Sequence, residues 1–121
     1  MDKIIAVAIG GSIGAVGRYL IGLIPMKMEN GFPLNTFIIN VIGAFVIGLI
    51  SATALKNTGF NKNLELFLKT GLCGGFTTFS TFSLESFNLL QSGNFITSII
   101  YIILSLTISL LAIVLAYSLI K

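Results

Sequence analysis

The sequence predicts an all-α membrane protein with four transmembrane helices in a single domain over residues 1–121. Three observations predict it. Hydrophobic residues make up 55% of the chain and charged ones only 9%, whereas a soluble domain carries roughly 25% charged residues to cover its surface. Mean hydropathy is +1.04. The apolar residues gather in four segments, about 4–24, 34–55, 64–90 and 95–120. Each is long enough, at ~1.5 Å per residue, to cross a hydrocarbon core of ~30 Å. Lipid is therefore the expected solvent of most of this surface.

The first segment ends at Pro25. It is too long for the apolar region of a cleaved signal peptide, lacks a small-residue cleavage site, and carries Arg18 near its end. Gly10, Gly11, Gly14 and Gly17 give it a face small enough to pack against another helix. Arg18 can snorkel to the near interface or serve a function, and the residues leave both open. The second segment follows the turn-rich Glu29–Pro33 stretch, and Asn40, Ala44, Gly48 and Ser51 share one of its faces. Close packing accounts for Ser51. An amide facing lipid is costly, so Asn40 is expected to face a partner or a wet cavity. In the fourth segment Ser98, Tyr101, Ser105, Ser109, Ala112 and Ala116 form a stripe at steps of three and four.

The third segment departs from a plain helix. It reads Gly-Leu-Cys-Gly-Gly-Phe-Thr-Thr-Phe-Ser-Thr-Phe-Ser from Gly71 to Ser83. Gly74 and Gly75 each lower helix propensity by about 1 kcal/mol, and the hydroxyls that follow compete for backbone hydrogen bonds. A break is expected near Gly74–Thr78. At that depth it frees carbonyls that must be buried in protein or serve an ion. The plainer alternative is a packed kink, since Gly71 and Gly75 also form a small-xxx-small pair. Phe79 and Phe82, three apart, share a face with Ser83 and Ser86. Phenylalanine in a span is ordinarily lipid-facing or core. Beside a break and a run of hydroxyls, two positive ring edges with hydroxyl and amide donors can line a path for a small anion. Without a fixed counter-charge, such a path would not trap its ion. Glu85 lies one turn beyond Thr81, and Glu65 with Lys69 reads as an exposed pair at a helix start.

Charge and composition exclude other classes. The seven basic residues behind the net charge of +3 are scattered at segment edges, so they read as topology determinants and no nucleic-acid partner is expected. Lys3, Lys56, Lys62, Lys69 and Lys121 fall on the side of the termini, Lys27 on the other, which places both termini in the cytoplasm. The count is five to one. With Lys69 set aside as membrane-embedded and Arg18 assigned to the far side, it is four to two. Cys73 is the single cysteine, so no internal disulfide forms. With no histidine, four acidic residues and no nucleophile–base pair, no enzyme is expected. A small multidrug exporter would want an acidic residue in the first helix, where Arg18 stands instead. A non-transporting membrane assembly subunit would have no need of the glycine–threonine break.

Three stretches, Gly10–Tyr19, Thr36–Phe45 and Gly71–Ser83, match a known family in order and spacing. Over essentially its whole length the chain resembles the CrcB/Fluc fluoride channels. The resemblance implies a multi-pass protein of the cell (plasma or inner) membrane that passively exports cytoplasmic fluoride and so relieves its toxicity. It implies a third helix broken mid-membrane and two subunits assembled as an antiparallel, dual-topology dimer, with two fluoride pathways. It also implies a structural Na+ at the dimer interface, held by the backbone carbonyls of Gly74 and Thr77. The fluoride pathway would be lined by Phe79 and Phe82 with the amide of Asn40, and by Ser80, Thr81 and Ser109 as polar groups beside it. Arg18 would raise the potential of an aqueous vestibule, and Glu85 would lie near a pore exit. Ile108 departs from the pattern, standing where a glycine is expected before Ser109. The implied partners are fluoride, the lipid bilayer and an antiparallel second subunit. The weak basic bias favours a second copy of this chain over an inverted homologue.

Overall fold

The structure, a computed structural model, describes residues 2–26 and 28–120. Among these the chain is helical and contains no strand. Three helices are long and apolar enough to cross a membrane: α1 (Asp2–Gly22), α2 (Leu34–Lys56) and α6 (Phe95–Leu119). Between α2 and α6 the chain forms α3 (Lys62–Leu66), a π-helix (Phe67–Cys73), α4 (Gly74–Phe76) and α5 (Phe79–Gln91).

The helix ends have local causes. After α1, ahead of Pro25, the Asn35 side chain donates from Nδ2 to the carbonyls of Ile21 at 2.9 Å and Ile24 at 2.8 Å. One amide thus adds a second donor to the Ile21 carbonyl, which also accepts from the Ile24 N–H at 3.0 Å, and supplies one to the Ile24 carbonyl beyond the helix end. Asn61 caps α3, its Oδ1 accepting from the Asn63 and Leu64 N–H groups at 2.9 and 3.1 Å. Helix α5 stops at Gly93, whose φ of +87° favours glycine. There the Asn94 N–H donates back to the Leu89 carbonyl at 2.8 Å, closing a Schellman-type turn.

Packing falls into two close pairs. Helix α1 lies along the π-helix and α4, and α2 lies along α6. The first pair meets backbone to backbone. A Cβ on Gly71 would stand 2.9 Å from the Val7 carbonyl oxygen and 3.0 Å from Gly10 Cα, and one on Gly14 would strike the Leu72 carbonyl. In the second pair a Cβ on Gly48 would come within 2.8 Å of Ala116 Cβ. Close packing and a break therefore coexist in the third segment. Gly71 is buried against α1, whereas Gly74 is exposed with room around it.

The enclosed core is small: Phe82, Leu89 and Tyr101, flanked by Phe32, Phe37 and Ile102. Large apolar side chains such as Ile4, Leu55, Ile96 and Leu110 face outward, as suits a lipid solvent. Lys69 and Glu65 do pair, at 3.3 Å, but the pair is not exposed: its side chains are 33% and 19% accessible. Lys62 adds a second contact to Glu65 at 3.6 Å. Lys27 and Lys121, on which the charge count partly rests, lie outside the described residues.

Candidate ion pathway and cation site

Within the third segment helix geometry is lost at two residues, Thr77 (φ −83°, ψ 158°) and Thr78 (φ −147°, ψ 120°). Their hydrogen bonds can be followed one by one. In an unbroken helix the Thr78 N–H would reach the Gly74 carbonyl, and the Thr81 N–H the Thr77 carbonyl. Here the Thr78 N–H donates to Asn40 Oδ1 at 2.8 Å. The Thr81 N–H donates to Thr78 Oγ1 at 3.1 Å, capping α5. Neighbouring carbonyls find side-chain donors: Asn40 Nδ2 donates to the Thr78 oxygen at 3.1 Å, and Arg18 Nε to the Gly75 oxygen at 3.2 Å. The Cys73 oxygen accepts from both the N–H and the Oγ1 hydroxyl of Thr77.

The helical donors of two carbonyls, those of Gly74 and Thr77, have thus been diverted to side chains. Neutral carbonyl oxygens freed in this way fit a hard cation such as sodium. Among the described residues no cluster of three or more histidine, cysteine or acidic side chains could hold a metal. A cation held here would rest on the main chain.

Beside the break lies a cavity of about 380 Å³ whose wall includes Asn40, Thr78, Phe79, Phe82, Ser105 and Ser109. The Phe79 and Phe82 ring centroids are 5.9 Å apart and tilted by 46°. Phe82 is 8% exposed and Phe79 77%, so one ring is set in the subunit and the other stands at the open side. Ser105 is buried, yet its hydroxyl has no hydrogen-bond partner among the described residues. A buried hydroxyl left unpaired costs about 1–3 kcal/mol. Its position on the cavity wall makes it available to a ligand.

Arg18 and Thr81 fall on a second cavity of about 250 Å³, with Asn35 and Thr36. Ser80 is exposed, its Oγ 3.4 Å from Thr78 Oγ1. Glu85 is held inside the subunit. Its Oε2 accepts from the Thr36 hydroxyl at 3.0 Å and its Oε1 from the Tyr101 hydroxyl at 2.9 Å. The Tyr101 ring is fully buried and stands 5.1 Å from the Phe82 ring, which links the carboxylate to the cavity wall.

Sequence reasoning singled out neither Thr78 nor Thr36 as a site residue, and held Tyr101 and Ser105 only as members of the fourth-helix stripe around Ser109. Signals existed for some. Tyr101 and Ser105 continue the Ser109 stripe at steps of four, and Thr36 stands one turn before Asn40. Thr78 shows no such periodicity, because its role comes from having left the helix.

The sequence model of a family described as "CrcB-like protein, Camphor Resistance (CrcB)" matches residues 5–117. The chain belongs to the CrcB family. Three of the relatives similar to it carry the name "Fluoride-specific ion channel FluC". The one from Azobacteroides pseudotrichonymphae is 42% identical over 118 residues, covering 97% of this chain and 94% of the relative. The one from Ruminiclostridium cellulolyticum is 45% identical over 122 residues, covering 100% and 94%. The one from Geobacter sulfurreducens is 44% identical over 111 residues, covering 91% and 90%. Every site residue described above lies inside the stretch matched by the CrcB model. Like the CrcB relatives, the chain is a multi-pass membrane protein and not an enzyme.

Proposed function

We propose that this chain is one half of a passive, fluoride-selective channel that lets fluoride leave the cytoplasm. The names of its relatives support the ion. One observation in the chain itself carries the reading: the break at Thr77–Thr78 sets two phenylalanine rings, an amide and an unpartnered buried hydroxyl around one cavity.

Fluoride is small and strongly hydrated, so a route for it must replace water with good donors. The Ser105 and Ser109 hydroxyls supply two. Asn40 Nδ2 carries two hydrogens and spends one on the Thr78 carbonyl, so one remains. The edges of Phe79 and Phe82 offer weaker positive potential. Arg18 lines the neighbouring cavity and not this one, so an anion is drawn toward the path without being fixed in it. The drive is electrical. In acidified surroundings fluoride takes up a proton and enters the cell as neutral HF, gives that proton up in the neutral cytoplasm, and leaves as the anion, driven by the membrane potential without ATP.

The channel is a dimer in which each copy crosses the membrane four times, the α3–α5 region forming the broken span. Gly74 and Phe79 are exposed on a single chain, and a second, antiparallel copy covers them. Two copies bring the Gly74 and Thr77 carbonyls together as four oxygens for sodium, which supplies the positive charge that ties the subunits. Replacing Phe79 or Phe82 by isoleucine removes a ring edge while keeping apolar bulk. In reconstituted vesicles both variants are expected to slow fluoride efflux at least tenfold while remaining dimeric. Normal efflux through both would make these rings ordinary packing.

A further inference from the structure

We infer that Thr78 is the threshold between the two cavities: fluoride passes its side chain between the Arg18 cavity and the Ser105 cavity, and its hydroxyl donates to the ion at that crossing. This rests on the reading of the Ser105 cavity as part of the fluoride path. Among the described residues, Thr78 alone stands on the wall of both cavities. Arg18 lines only one of them, and Ser105 and Ser109 only the other. Along α2 the Arg18 cavity takes Asn35, Thr36 and Ile39, and the Ser105 cavity takes Asn40, Gly43 and Ile47. The two therefore follow one another along a membrane-spanning helix, at ~1.5 Å per residue. Thr78 lies where one gives way to the other.

Thr78 suits a threshold because its position is fixed and its donor is unspent. Asn40 accepts from its N–H at 2.8 Å and donates to its carbonyl at 3.1 Å, which pins the main chain at both groups. Its Oγ1 accepts from the Thr81 N–H at 3.1 Å. That bond sets the direction of the side chain and leaves the hydroxyl hydrogen free to donate. The Ser80 Oγ is 3.4 Å away, beyond the roughly 2.5–3.0 Å of an ordinary hydroxyl pair. The side chain is half-buried, so one part is held by the protein and another is open to an ion. An ion between the two cavities has lost part of its water, and a stretch without donors would be a barrier. One hydroxyl at the crossing bridges the gap between the Arg18 charge and the Ser105 and Ser109 donors.

The test separates this role from the cap that Thr78 places on α5. Thr78→Ser keeps both the cap and the donor. Thr78→Asp keeps the cap, since aspartate is as good an N-cap, but it has no hydrogen to donate and sets a negative charge at the crossing. Reconstituted as dimers in vesicles, Thr78→Ser should release fluoride near the unaltered rate. Thr78→Asp should slow release at least about tenfold while keeping the unfolding midpoint. Normal release through Thr78→Asp, or equal slowing by Thr78→Ser, would overturn the proposal. Should Thr78→Asp fail to assemble, Thr78→Cys treated with a negatively charged methanethiosulfonate decides. Modification, read by mass, should stop release, while the unaltered protein, whose Cys73 is buried, continues. Failure of the reagent to reach the introduced thiol, or continued release after modification, would overturn it. Phe79→Ile and Phe82→Ile, measured alongside, keep the two readings apart. If they slow fluoride and Thr78→Asp does not, only the threshold is lost; if the unaltered protein releases no fluoride, path and threshold fall together.

Discussion

Asn40 takes up both main-chain groups of Thr78 and Glu85 accepts from two hydroxyls, so these two polar side chains have specific partners where the Ser105 hydroxyl has none. Tyr101 is the most exacting of these partners. It is fully buried, donates to Glu85 at 2.9 Å, and packs against Phe82 and Phe32 at 5.1 and 5.3 Å between ring centroids. Tyr101→Phe keeps the ring packing and removes the donor. It is expected to cost about 1–2 kcal/mol, since a part-buried acceptor on Glu85 is left without its donor. A thermal unfolding midpoint in detergent measures this, and an unchanged midpoint would mean that the bond contributes nothing. This cluster was not legible in the sequence. Tyr101 and Glu85 are 16 residues apart on different helices, and only the rotation of α6 against α5 reveals that they meet.

At the scale of the element, the third segment was legible in place but not in cause. The expected break near Gly74–Thr78 falls at Thr77 and Thr78, and Gly74 remains helical (φ −63°, ψ −38°). Low glycine propensity does not break the chain. Side-chain capture of the Thr78 and Thr81 N–H groups does. Gly75 instead allows close packing on α1, where an added Cβ would press on Gly11. The π-helix before it was not legible at all, because no residue pattern distinguishes a π turn from an α turn in an apolar stretch. If α1 must seat directly on this backbone, Gly14→Leu should fail. It would drive a side chain into the Leu72 carbonyl and the Phe76 N–H, with an overpacking cost of about 1–3 kcal/mol or more. It would also pull Arg18 from Gly75. The expected result is loss of the dimer on size-exclusion chromatography, and normal assembly of this variant would show that α1 has room to move.

For the whole molecule, the apolar surface and the length of the helices were legible from hydropathy alone, while the arrangement of copies depends on small charge differences. The Lys69–Glu65 pair bears on that balance. Setting Lys69 aside as membrane-embedded, its side chain 33% exposed, leaves the smaller basic bias of four to two, which is compatible with the proposed insertion in both orientations. Cysteine labelling of intact cells with a reporter at the C-terminus should therefore mark the protein from both sides of the membrane. Purely cytoplasmic labelling, with no activity from the protein expressed alone, would make an inverted homologue the partner. The most direct test of the function compares anions. Vesicles containing the purified protein are loaded with potassium fluoride or potassium chloride, and a potassium ionophore is added to supply the driving force. A fluoride channel of this build releases fluoride rapidly and retains chloride; equal release of the two anions, or release of neither, would contradict it.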